Sequence, residues 1–478
     1  MSSPGNSRSR ASELWRGDAV DLAARLASRE ITPMQLLEVC LERCDRLEPK
    51  LNAFTMLDRD GATAAARGAT ERQKTGRRRG PLDGMPVAIK DNLYVAGLPA
   101  EWGSRMLKGF VPDRDDICVE RLRTAGAVII GKTTTPEFAL SGRTENLVTG
   151  TTRNPWNPSL TPGGSSGGAV AAVAAGMVPL AIGTDAGGST RMPASYTGLV
   201  GLRPSNGRIP RCYGFPPMAL DFQAIGVITR TMRDLELLFS AVAGPDVRDP
   251  VSLHVTQRRR TALPQRLGWF TGIGGVGASS DVVASHAQVL RHLEALGYVV
   301  EPCAAPFDLD DIRELWDTLT PVGAARAAAR LGDQWKTLAT AQIAGLVERG
   351  LATPATAYVQ ALDRLQAFRS KTSAQWGDFD ALVLPVNPVP AWPVETEHPS
   401  EIEGRSIGPS AQGMFCGWVN AMGYAGMSIP GLPSPDGRPI GVQLVAPSGA
   451  DEVIIEIARR LELTAPWQHR WPPLAGSE

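Results

Sequence analysis

The sequence predicts an α/β fold: one large domain in which a sheet is covered by helices, with an N-terminal helical layer. Three observations carry this. From Pro81 onward, short β-rich apolar runs alternate with helical segments, the pattern of a sheet clothed by helices. Sheet-like runs lie both before and after an Ala/Leu-rich helical stretch at 310–375, so cutting the chain there would leave strands unpaired. Between Asp18 and Gln73, by contrast, apolar residues recur at helical spacing. The 478 residues, 43% hydrophobic and 21% charged, suffice to bury a large core.

In chain order, residues 1–15 are polar and expected to form a flexible tail, and 16–75 the helical layer. Leu22, Leu26, Met34, Leu37, Leu41 and Leu47 form its apolar stripe. Thr32-Pro33 is a helix start, a hydroxyl cap followed by proline at the first position, and 63–73 reads as a further helix. The main domain, 76–470, is expected to place strands at 85–89, 127–130, 178–183, 199–202, 265–270, 381–385 and 439–445. Helices are expected at 117–124, 168–175, 282–296 and 452–463, with the helical insertion at about 310–375. The proline- and glutamate-rich 386–404 reads as an irregular surface segment.

Composition excludes several functions. Lys+Arg and Asp+Glu both number 49, so nothing points to a nucleic-acid or anionic-membrane surface. Neither a signal core nor a membrane-spanning apolar run occurs, and a cytoplasmic, soluble protein is expected. Cys40 and Cys44 stand one helical turn apart with no second Cys/His pair to complete a zinc site, so they read as buried thiols. No phosphate loop or G-x-S-x-G elbow is present, and the five histidines, His254, His286, His292, His398 and His469, lack triad context.

The chemistry concentrates in 161–191, TPGGSSGGAVAAVAAGMVPLAIGTDAGGSTR. Two glycine-dense turns each present serine: Ser165 and Ser166 in the first, Ser189 in the second. Serine among glycines combines a potential nucleophile with exposed backbone N–H groups, the arrangement acyl transfer needs. The base must come from a residue other than histidine. Only seven lysines occur among the 49 basic residues, and one of them, Lys90, ends the apolar run MPVAIK. Desolvation at the end of a core strand would lower its pKa toward neutrality and make it a proton acceptor; the alternative is an ammonium paired with Asp91.

GMPVAIKDN, TPGGSSGGAVAAVAAG and GTDAGGSTRMPASYTGLVGLRPS resemble the signature blocks of the amidase signature family. PDRDDICVERLRTAGAVIIGKTTTPEFALSGRTEN, GTTRNPWNPS and PIGVQLVA extend the resemblance over about residues 20–465. It implies a single amidase-signature domain with a central mixed β-sheet covered by helices on both faces. It further implies a Ser-cisSer-Lys triad in which Ser189 is the nucleophile, Ser165 the bridging serine after a cis peptide bond, and Lys90 the base. The oxyanion hole would be formed by backbone N–H groups of Ala186, Gly187 and Gly188, with that of Ser189. Ser166, Asp185 and Arg191 would support the loops. Gly226-Val227, Ala446 and the 423–430 segment depart from the family pattern without touching the triad.

The resemblance implies an amidase needing no cofactor or metal, acting on a small-molecule amide through an acyl-serine, without nucleic-acid or membrane partners; a homodimer is expected by analogy. Trp102, Trp418, Tyr424 and the segment from Leu140, including Ser141 and Gly142, are candidate pocket residues, with core packing the alternative for each aromatic. Three rivals remain at this stage. A glutamine-hydrolysing amidotransferase chain of the A type, working with a partner, would carry a basic, tyrosine-rich stretch that 325–360 lacks. A non-catalytic scaffold has no reason to keep Lys90, Ser165 and Ser189 together. An esterase or carbamate (urethane) hydrolase would use the same acyl-enzyme route.

Overall fold

The computed structural model describes residues 13–255 and 265–476; of the expected tail only 13–15 fall within this range. Its frame is an 11-stranded sheet. The first six strands are β1 (Phe54–Leu57), β2 (Pro86–Lys90), β3 (Val128–Thr133), β4 (Leu180–Asp185), β5 (Val200–Arg203) and β6 (Ala224–Thr229). The remainder are β7 (Arg266–Trp269), β8 (Val299–Pro302), β9 (Ala381–Pro385), β10 (Ala425–Pro430) and β11 (Gly441–Ala446). Their order across the sheet is β1-β3-β2-β4-β6-β5-β10-β11-β9-β7-β8. The sheet is mixed, with β3-β2-β4 and β9-β7-β8 parallel and the other neighbours antiparallel.

Helices cover both faces, and the alternation of side chains along β2 shows how. Val87 and Ile89 join the apolar cluster on one face, packed under α1 (Ala19–Ala27), α4 (Ile117–Thr124), α7 (Met232–Val242), α8 (Ser280–Ala295) and α13 (Asp451–Thr464). Ala88 faces the other way, toward α2 (Pro33–Leu51), α3 (Arg59–Lys74) and α5 (Gly167–Ala174). Strands buried on both faces read as continuous apolar runs, which is why MPVAIK is legible as a strand. The start of α2 is also as its sequence dictates. Thr32 accepts from the Gln35 N–H at 3.2 Å, the Gln35 side chain accepts from the Thr32 N–H at 2.9 Å, and Pro33 takes the first position. Cys40 and Cys44 are buried on this helix, and burial pushes the Cys40 thiol up to about 12.

Four strands of this sheet lie outside the sequence expectation: β1, β6, β8 and β10. β1 makes the N-terminal layer more than helical, because it pairs along the sheet edge with β3. β6 and β10 carry glycines in their interiors, which weaken the strand pattern, yet backbone or polar atoms press on each glycine: a Cβ on Gly226 would lie 2.1 Å from Thr190 Oγ1. The 310–375 region is helical as expected, in α9 (Leu309–Ala329), α10 (Ala341–Ala352) and α11 (Ala355–Ala374). The 386–404 segment is irregular apart from a short strand at Glu401–Ile402, but it is not confined to the surface. Val386, Ala391, Trp392 and Val394 are buried, and Trp392 meets Tyr196 edge-to-face at 5.4 Å. No helix among the described residues is long and apolar enough to cross a membrane.

Candidate active site

β2 and β4 run parallel, with Ile89 opposite Ile182, so Lys90 and Thr184-Asp185 emerge at the same edge of the sheet. Lys90 is wholly buried. Its Nζ lies 2.8 Å from Ser165 Oγ, 3.0 Å from Ser166 Oγ and 3.1 Å from Thr184 Oγ1. All three are hydroxyls, so burial goes uncompensated and brings the Lys90 pKa down to about 7, with the more distant Asp185 charge opposing it. The alternative pairing with Asp91 does not occur: Asp91 turns to Lys132, whose Nζ lies 3.6 Å from Asp91 Oδ1. Asn92 donates through Nδ2 to Thr184 Oγ1 at 3.0 Å, fixing that hydroxyl from the far side.

The first glycine turn is clamped against its surroundings. The Gly164–Ser165 peptide bond is cis. Thr144 Oγ1 donates to the Gly163 carbonyl at 2.8 Å and accepts from the Gly167 N–H at 3.2 Å. A Cβ on Gly164 would lie 2.6 Å from the Ser141 carbonyl, and one on Gly168 within 2.4 Å of backbone atoms at Ala53 and Thr134, so the GG-SS-GG composition is one of close backbone approach. The Ser166 N–H donates to the Ser189 carbonyl at 3.1 Å, which ties the two serine loops together. Ser165 and Ser166 are wholly buried, whereas Ser189 is partly exposed.

Asp185 organises the second turn. Its Oδ1 accepts from the Gly188 N–H at 2.8 Å and from Arg191 Nη2 at 2.9 Å; its Oδ2 accepts from the Thr190 N–H at 3.1 Å and Arg191 Nε at 3.0 Å. Burial alone would raise this carboxyl, but the Arg191 guanidinium outweighs it and holds Asp185 well below the usual carboxylate range. Arg191 is braced in turn by Asn420 Oδ1 at 2.6 Å and Gln443 Oε1 at 2.5 Å. Gly188 departs from its expected part. At φ +115° it supplies a backbone shape L residues rarely adopt, and its N–H is committed to Asp185. Among the described residues, the N–H groups of Ala186, Gly187 and Ser189 make no hydrogen bond, so these three are the donors left for an oxyanion.

A buried amine against serine hydroxyls beside a partly exposed serine on a glycine turn is a site suited to acyl transfer. The sequence model of the family described as Amidase matches residues 35–455. The chain belongs to the amidase signature family. It is 34% identical to the A-type chain of the glutamyl-tRNA(Gln) amidotransferase of Acidothermus cellulolyticus, over 94% of this chain and 95% of that one. It is 32% identical to an acylamidase of Rhodococcus erythropolis, over 95% of this chain and 96% of that protein. Among solved structures, a bacterial aryl acylamidase of the family superposes with a TM-score of 0.87 at 26% identity, covering 97% of this chain and 99% of its own.

The pocket candidates of this amidase divide. Ser141 and Gly142 do reach the site, since their backbone lies against Gly164, and Gln412 packs on Gly142. Leu140 sits beside them and accepts from Gln342 Nε2 at 3.0 Å. The three aromatics are packing residues instead. Trp418 is 0% exposed, stacked on Phe307 at 4.8 Å, and its Nε1 donates to the Phe415 carbonyl; a ring without free surface cannot line a cleft. Tyr424 meets Trp376 edge-to-face at 5.3 Å and shares a hydrogen bond with Ser373. Trp102 is buried, stacked on Phe215 at 4.7 Å. Phe215 lines a separate cavity of about 340 Å³, with Arg211, Tyr213 and Gln223, that includes none of Lys90, Ser165 or Ser189.

Sequence reasoning passed over Thr184, Asn92, Thr144, Asn420 and Gln443. For two of these a signal existed: each of Asn420 and Gln443 is a lone amide within an apolar run, GWVNAM and GVQLVA. Of the histidines, His286 is buried with its ring 3.0 Å from the Val383 carbonyl, and burial lowers its pKa to about 4, a packing role.

Proposed function

We propose that the chain hydrolyses a carboxamide to a carboxylate plus ammonia or an amine through an acyl-serine, with Ser189 as nucleophile, Ser165 as proton relay and Lys90 as base. The observation that carries this is the wholly buried Lys90 amine, with a pKa near 7, at 2.8 Å from Ser165 Oγ. A neutral amine has two N–H donors and one lone pair. Ser166 Oγ, which donates to the Thr184 carbonyl at 3.2 Å, and Thr184 Oγ1, which already accepts from Asn92, take the two donors. The lone pair then faces Ser165, whose hydroxyl proton it accepts as Ser165 takes the proton of Ser189.

Ser189 Oγ bonds to the amide carbon and the carbonyl oxygen becomes an oxyanion, held by the N–H groups of Ala186, Gly187 and Ser189, each contributing about 3 kcal/mol where well aimed. Gly188, by spending its N–H on Asp185, fixes the turn that aims the others. The C–N bond breaks as the proton on Lys90 passes back through Ser165 to the amine. Water, deprotonated by the same relay, then splits the acyl-serine to release the acid and regenerate Ser189. The overall change consumes one water and needs no cofactor. The test is a panel of aliphatic amides, anilides, esters, a urethane and glutamine, with Ser189→Ala beside the wild type. Turnover lost in the variant supports the assignment; turnover that survives it overturns it.

A second reading keeps the chemistry and changes the role: the glutamine-hydrolysing component of a tRNA-dependent amidotransferase. It is supported by the full-length similarity to the Acidothermus protein. Glutamine cleaved only when the remaining components of such an enzyme are added, with the simple amides untouched, would favour it.

A further inference from the structure

Trp316 enters the site without any motif. It lies on α9 among buried Ile312, Leu315 and Leu319, yet its own ring stays partly exposed. A Cβ on Gly187 would lie 3.2 Å from the six-membered ring of its indole, and one on Gly417 3.2 Å from its Nε1. The ring therefore stands directly over the loop that offers oxyanion donors. Phe222 meets it edge-to-face, with centroids 5.3 Å apart at 71°, which holds its orientation. Among the described residues its Nε1–H makes no hydrogen bond.

Which part of a substrate it meets follows from the proton path. The amine must depart toward Ser165, because that hydroxyl returns the proton, and the Ser165 side is walled by Ser141 and Gly142 against Gly164. With the amine directed to Ser165, the acyl substituent is left to the Gly187 loop, over which Trp316 stands. We infer that Trp316 packs against the acyl group and selects amides of flat, aromatic carboxylic acids over acetyl amides. This rests on the acyl-serine reading. An indole held on one edge by Phe222 offers its remaining face to a ring in offset or edge-to-face contact, a contact an acetyl group cannot make.

The experiment compares wild type, Trp316→Ala and Trp316→Phe on 4-nitrophenyl benzoate and acetate, which share a leaving group, and on benzamide, acetamide and acetanilide. The benzoyl-to-acetyl ratio of kcat/KM is expected to fall about tenfold in Trp316→Ala and to be largely restored in Trp316→Phe, on esters and amides alike. An equal loss on both acyl groups, or an unchanged ratio, overturns the inference while leaving the acyl-serine reading intact. A change confined to the acetanilide-to-acetamide ratio overturns it in favour of the amine side. Should the wild type cleave none of these, the catalytic reading fails separately. Calorimetric binding of benzoate then decides, weaker binding to Trp316→Ala supporting the contact and equal binding refuting it.

Discussion

Asn92→Asp puts the tuning of Lys90 to a direct test. The substitution nearly preserves shape and turns a neutral amide into a carboxylate within the same buried network. Asn92 Nδ2 is 3.0 Å from Thr184 Oγ1, itself 3.1 Å from Lys90 Nζ, so the new charge lies at most about 6 Å from the amine. At an effective dielectric of about 20, two unit charges at that distance attract by roughly 3 kcal/mol, about two pKa units. The carboxylate favours the ammonium, so the Lys90 pKa must rise from about 7. In the proposed mechanism the neutral amine is the active form, so the acid limb of kcat/KM against pH should move upward by one to two units. Asn92→Leu, which removes the hydrogen bond without adding charge, should not move it upward. The assay is a pH series on one ester and one amide. An acid limb that stays in place or moves down in Asn92→Asp would refute the assignment of that limb to Lys90.

Other consequences follow from the same network. Lys90→Met replaces a desolvated amine by an apolar chain of similar length. Between about 7 and the ordinary value of 10.5 the unfolded chain binds more protons at this position than the folded one, so wild-type stability rises with pH there. Lys90→Met should therefore stabilise the protein by a few kcal/mol at pH 6 and progressively less toward pH 10, as read by urea unfolding; a pH-independent difference would contradict this. Arg191→Met leaves the Asp185 carboxylate buried without its cation and should cost about 3–5 kcal/mol, with activity lost as the turn loosens; a loss under 1 kcal/mol would remove Arg191 from that role. Gly188→Ala should be destabilising, because φ is +115° and the new Cβ would meet Met192 and Cys416 at 2.6 and 2.7 Å, whereas a variant as stable as wild type would show that the turn tolerates another shape.

What the sequence reveals here depends on whether the information is local. Lys90 is legible because lysine is rare and this one closes an apolar strand; Ser165 and Ser189 are legible because glycine clusters mark both turns. The parallel order of β3, β2 and β4 then makes neighbours of residues 75 positions apart. The supports of Arg191 are out of local reach, since Asn420 and Gln443 arrive 229 and 252 positions later from the far half of the sheet. Aromatics mislead for a related reason. Trp418 and Trp316 look alike in sequence, but α11 and its neighbours bury the first, while α9 leaves the second open above Gly187. Gly188 is legible as a glycine of the loop, but not as the one whose N–H Asp185 occupies.

The most direct measurement is to trap the acyl-enzyme. Rapid acid quench of the protein during turnover of a 4-nitrophenyl ester, followed by peptide mass spectrometry, locates the acyl group on a residue. An acyl mass on Ser189, absent in Ser189→Ala and lost as the acyl-serine is hydrolysed once the ester is exhausted, is the expected result. An adduct on Ser165 or Ser166, or sustained turnover with no adduct on any serine, would contradict the assignment of Ser189 as nucleophile.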